Sequence, residues 1–185
     1  MQIEIKMQNV EEIKAKLGSL GQNAPKVISR VINRVIVNVK KNMAVSAKKR
    51  YIVKTEDIKK TLTSSNATSS NLSAFVRSSG TLIPLYKFKV SPNQPRPKNP
   101  PKNFKARVLK ASSLKPLQGF VAKMKSGHLG VFERKDSSRL PIKELYGPPI
   151  PQMLGNEEVW KDIEKEANQT VEKRMDHEIK RLLEG

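Results

Sequence analysis

Residues 118–154 read QGFVAKMKSGHLGVFERKDSSRLPIKELYGPPIPQML: two short apolar runs around a glycine, then a stretch punctuated by proline. FVAKM (120–124) and LGVFER (129–134) are rich in β-branched and aromatic residues. They are joined by KSGH, whose glycine suits a tight connection, so the pair reads as a β-hairpin. Phe120, Ala122 and Met124 alternate with Val121, Lys123 and Lys125, which predicts that the first set is buried and the second faces outward as a basic surface. Beyond the hairpin, 140–154 has little hydrophobic periodicity, and Pro141, Pro148, Pro149 and Pro151 restrict its backbone. A segment stiffened in this way is expected to present a surface.

Upstream, residues 24–47 place Ile28, Val31, Ile32, Val35, Val39 and Met43 three and four apart, the spacing of one helix face. Asn23 is the expected cap and Pro25 is tolerated in the first turn. The many β-branched residues lower intrinsic helicity, so packing must hold this helix. Two buried strands across 31–39 are the alternative, disfavoured because the apolar pattern outruns a typical strand. Thr55 is placed to cap a short helix through EDIKKTL (56–62), and TSSNATSSN (63–71) reads as a flexible loop. Strand character returns in LSAFVRSS (72–79), LIPLYKFKV (82–90) and FKARVLKA (104–111). Asn156 opens a closing helix with Glu157 and Glu158 at its positive end. Its apolar stripe is Trp160, Ile163, Ala167, Val171, Met175, Ile179 and Leu182. The expected fold is a single α+β domain over 1–185. An antiparallel sheet packs against the two long helices, and extended proline-rich loops occupy 91–103 and 140–154.

The net charge of +19 is unevenly spread. Residues 26–60 hold eleven Lys/Arg against Glu56 and Asp57, and 84–125 hold eleven with no acid, whereas 157–184 hold six basic and nine acidic side chains. A field of this kind favours polyanions, and charge alone does not choose between nucleic acid, an anionic surface and an acidic protein. The loop SPNQPRPKNPPKN (91–103) has five prolines and three basic residues, too many prolines for a helix or ladder.

Cysteine is absent, which excludes disulfides and thiolate metal sites and fits a reducing compartment. No leader pattern opens the sequence and no run of about 18 apolar residues occurs, so a soluble, cytosolic origin is expected, with no membrane partner.

Little in the chain suggests catalysis. His128 sits in the expected hairpin turn, and His177 adjoins Asp176 and Glu178, positions that point in different directions from a helix. Ser126 beside His128 is no nucleophile elbow, and phosphate-binding glycine loops are missing. The acid pairs Glu56/Asp57 and Glu157/Glu158 are explained by helix starts. No catalytic, cofactor-binding or metal-binding residue is therefore expected, and the chain reads as a non-enzyme. For nucleic acid the sequence offers charge but few stacking platforms: Tyr86, Phe88 and Phe104 flank the basic loop.

The run GFVAKMKSGHLGVFER followed by LPIKELYGPPIPQML resembles the Z-type minor tail protein family of tailed bacteriophages and prophages. Weaker likeness extends to Asn33–Arg34, YIVKTEDIKKTL (51–62), SGTLIPLYKF (79–88) and HEIKRLL (177–183), in the family's order. The resemblance implies a virion component acting in tail completion at the head-proximal end, assembled in the host bacterial cytoplasm. It also implies kinship with a broader group of α+β tail proteins that form rings, often hexameric. Expected partners are further copies of the chain, the tail tube or tail terminator, the head-tail connector and the phage DNA end.

Two surfaces follow as expectations. Leu140, Pro141, Ile142, Tyr146, Pro148, Pro149, Ile150, Pro151 and Met153 form a pre-bent arm that loses little entropy on docking, with Tyr146 and Met153 as apolar anchors. Lys87, Lys89, Arg96, Lys98, Lys102, Lys105, Arg107, Lys123 and Lys125 face DNA or an acidic partner. The alternative reading is a non-specific nucleic-acid-binding protein that uses this basic central region.

Overall fold

The computed structural model describes residues 2–6, 22–96, 98 and 104–184. Two 27-residue helices dominate it, α1 (Ala24–Arg50) and α4 (Glu157–Leu183). They run antiparallel: Lys49 at the end of α1 meets Asp162 near the start of α4 at 2.9 Å, and Arg30 meets Glu178 at the opposite ends at 3.5 Å. Charge favours this pairing twice. The last turn of α1 carries Lys48, Lys49 and Arg50, the first turn of α4 carries Glu157 and Glu158, and each set opposes its own helix dipole while attracting the other. Arg50 and Glu158 form an ion pair at this junction.

Ile28, Val31, Ile32, Val35, Val39 and Met43 are all buried, as their spacing predicts, and Ile36 joins them. From α4, Val159 and Ile163 enter the same core, while Trp160 stays half-buried. Helix α1 continues three residues past the expected end at 47, to Arg50. None of Asn23, Thr55 and Asn156 supplies the expected side-chain cap. Neither Asn23 nor Asn156 makes a capping bond, and Thr55 is itself the first residue of α2 (Thr55–Lys60).

The described strands form four small antiparallel sheets where one was expected. The first has β1 (Gln2–Lys6), β3 (Ser73–Ser78) and β2 (Leu62–Ser64) in the order β1-β3-β2. In the second, β4 (Ile83–Pro84) pairs with β11 (Tyr146–Gly147). The third has β5 (Lys89–Ser91), β6 (Phe104–Arg107) and β7 (Lys115–Leu117) in sequence order. The fourth is β10 (Ile142–Glu144), β9 (Leu129–Arg134) and β8 (Phe120–Lys123), in the order β10-β9-β8. The expected strand over 82–90 is broken: β4 and β5 are separated by a 3-10 turn, Leu85–Lys87, after Pro84, which has no N–H to continue a ladder.

The hairpin β8–β9 forms as predicted. Its turn closes with Met124 N–H to His128 C=O at 2.7 Å, and Gly127 takes a φ of 86°, which glycine adopts without strain. Lys123 and Lys125 are exposed as expected, but the residue of β8 that the core takes is Val121 and not Phe120. Val121 lies opposite Val131 and both enter the core, while Phe120 and Ala122 are half-buried. By alternation Lys123 shares the face of Val121, yet it is exposed, so the buried part of that face in β8 ends at Val121.

The stretch 63–71 is held in place. Thr63 and Ser64 belong to β2, and Asn33 of α1 clasps Ala67 by its backbone, donating to its C=O at 3.0 Å and accepting from its N–H at 2.8 Å. Both orphaned groups of a buried loop residue are thereby satisfied by one carboxamide. The short α2 docks through fully buried Ile58.

Candidate interaction surfaces

Residues 140–154 are stitched into the domain, where a pre-bent arm for docking on a partner was expected. Ile142 pairs with Arg134 and Glu144 with Phe132, extending the hairpin by the strand β10. Leu145 then bridges two layers, donating to Val131 at 2.8 Å and accepting from Leu85 at 2.9 Å. Tyr146 and Gly147 pair with Pro84 and Ile83, and Ile150–Leu154 is a short helix, α3. Ile150, Met153 and Leu154 are buried in the core at 2%, 0% and 0% exposure, so neither Ile150 nor Met153 is an anchor for a partner. The prolines stiffen a core-facing turn: Pro148, Pro149 and Pro151 are half-buried, and Pro149 precedes α3. Of the predicted interface, Leu140 (66% exposed) and Tyr146 (48%) face solvent as large apolar side chains, together with Pro141.

Tyr146 belongs to a polar chain that residue spacing did not reveal. Its hydroxyl donates to Glu144 Oε2 at 2.9 Å, and Glu144 Oε1 lies 2.9 Å from His128 Nε2. The Tyr146 phenol is raised above its ordinary pKa, first by the hydrogen bond to Glu144, then by burial and the carboxylate charge. His128 is thus more than a turn residue, since its ring also stands nearly perpendicular to that of Phe132, the centroids 6.3 Å apart. Beside it, Arg134 lies over the Phe120 ring at 5.3 Å and donates to the carbonyls of Ser138 and Arg139. Three residues are fixed and partly exposed here, a geometry suited to holding a contact surface in shape.

The predicted basic residues divide among several places. Lys89 stands opposite Arg107, and Ser91 opposite Lys105, so Lys89, Lys105 and Arg107 share the outer face of β5–β6 while Val90, Phe104 and Ala106 face the core. Arg107 also donates to the carbonyls of Lys110 and Ser112. Lys87 is drawn to Asp57 at 3.5 Å. Lys123 and Lys125 are exposed on β8 and the turn after it, in a different sheet. Arg96 and Lys98 are exposed, and Lys102 lies outside the described residues, as do residues 97, 99–101 and 103 of the proline-rich stretch.

Among the described residues no group of three or more His, Asp or Glu side chains is arranged to hold a metal ion. Nor is any described helix long and apolar enough to cross a membrane.

A family model described as prophage minor tail protein Z (GPZ) matches residues 7–184. The chain belongs to that family. As a minor tail protein Z family member it has a structural role in a phage tail, as a component of the virion that meets other virion proteins. No curated protein and no solved structure matches the chain. The GFVA…GVFER and ELYGP segments that carry the family resemblance map onto β8, β9, β10 and β11. They form the continuous strip that ties the fourth sheet to β4.

Proposed function

We propose that this minor tail protein Z family member completes the tail at its head-proximal end, as a non-catalytic subunit joining copies of itself to the tail tube or terminator and the connector. The observation that carries the reading is the outer face of β5–β6. Lys89 and Arg107 are directly opposed there, with Lys105 on the same face, and like charges across a ladder repel. An anionic neighbour offsets that cost, and the head-proximal end, where the DNA terminus must be accommodated, provides one. Leu140 and Tyr146 supply the apolar part of the subunit contact. Labelling intact virions at an exposed site of this protein tests its position: label beside the head supports the reading, and label at the distal tip overturns it. Leu140→Ser combined with Tyr146→Ser is expected to cut tail assembly while leaving the circular dichroism of the purified protein unchanged. Normal assembly would remove these residues from the interface.

The same basic face supports a second reading, non-specific contact with nucleic acid. Duplex DNA binding should then fall steeply with salt as counterions are released, and should weaken in Lys89→Glu with Lys105→Glu. No binding at low salt sinks this alternative and leaves an acidic protein ring as the neighbour.

A further inference from the structure

An open groove of about 740 Å³ runs along the second half of α1. Val37, Ala44, Val45 and Leu62 form its apolar part, with Val37 and Val45 exposed at 58% and 45%. Around them stand six lysines, Lys40, Lys41, Lys48, Lys49, Lys59 and Lys110, and no acid lines the groove among the described residues. Lys40 and Lys48 donate to the neutral hydroxyls of Ser64 and Thr55 at 3.0 and 3.1 Å, while Lys49 pairs with Asp162. Among the described residues most of this charge has no countercharge, around apolar side chains that gain nothing from water.

The spacing defines the shape of an occupant. Val37, Lys41, Ala44, Val45 and Lys48 recur three and four residues apart, so they form one ridge of α1. From position 37 to 49 this ridge spans about 18 Å, roughly three turns of a second helix laid alongside. We infer that the groove receives an acidic amphipathic helix from another tail protein, its apolar side on Val37 and Val45 and its carboxylates among the lysines. A DNA backbone would satisfy the lysines but leave both valines uncovered. A second copy offering α4, the long acidic helix of this chain, fits poorly, because none of the exposed large apolar side chains among the described residues belongs to it. The inference rests on membership of a tail protein family and not on where in the tail the protein sits.

The test replaces Val45 with a photo-crosslinking phenylalanine in assembled tails and sequences the joined peptide, with the same probe at Leu140 as a control. Expected is a segment of a different tail protein with net negative charge and apolar residues three and four apart, whose yield falls at least about tenfold in Val37→Asp. A peptide of this same chain, DNA, or a segment lacking either property overturns the inference, as does silence at position 45 while position 140 crosslinks. If the substitution blocks assembly, the purified protein is titrated with a synthetic helix of leucines at that spacing and glutamates elsewhere. Binding that weakens about tenfold or more in Val45→Asp supports the inference, and equal binding of a scrambled peptide overturns it. A label found at the distal tip would refute the head-proximal placement without touching either result.

Discussion

Met153 and Tyr146 come from one proline-rich stretch, yet one is fully buried and the other 48% exposed. Met153→Ala removes a core side chain and leaves a cavity, so a loss of about 2–5 kcal/mol in urea unfolding is expected. Tyr146 differs in kind, because its role is polar and pH-dependent. Its phenol is raised by the bond to Glu144, so the folded state holds that proton more tightly than the unfolded chain does. The stabilisation is complete below the ordinary phenol value near 10 and disappears as pH rises through the higher folded value. Thermal melts from about pH 9 to pH 11 should therefore show the advantage of the parent over Tyr146→Phe shrinking as pH rises. Equal slopes for the two proteins would show that the hydrogen bond does not contribute. Spacing could not separate the two residues, since a stretch without periodicity gives no sign of which side meets the core.

Among the elements, β11 shows how a motif can be structural. A Cβ added to Gly147 would fall 2.5 Å from Cε2 of Phe88, a buried ring, while the backbone pairs with Ile83. Neither strand can yield without breaking its ladder, so Gly147→Ala is expected to cost about 1–3 kcal/mol, read as a lower urea midpoint at unchanged slope. An unaltered midpoint would mean that Phe88 repacks freely. The long helices were legible because their period persists over many turns. The β8–β9 hairpin was legible because its glycine and its β-branched residues agree. The closure of 63–71 by Asn33 and the lysine groove depend on contacts between distant segments, whereas the break between β4 and β5 follows Pro84, a signal present in the sequence. Of the groove, the sequence showed only a basic count over 26–60, without the face on which those lysines gather.

For the whole molecule, the net charge of +19 outweighs the ion pairs that the fold does make. Exposed pairs such as Lys49–Asp162 contribute about 0–1 kcal/mol each, whereas self-repulsion of so many like charges acts on the entire compact state. Added salt screens both, and the repulsion is the larger effect, so the melting temperature should rise with ionic strength, by about 2–4 °C for each kcal/mol relieved. A fall would show that the pairs between α1 and α4 dominate. Composition, charge asymmetry and periodicity determined, by themselves, an α+β chain with two long amphipathic helices, a hairpin and a basic middle, because each is written in neighbouring residues. Tertiary structure alone decided that 140–154 is built into the domain, that Val121 and not Phe120 enters the core, and that His128, Glu144 and Tyr146 join. These outcomes depend on which buried surface wins when several segments compete for one core, and that competition has no local signature.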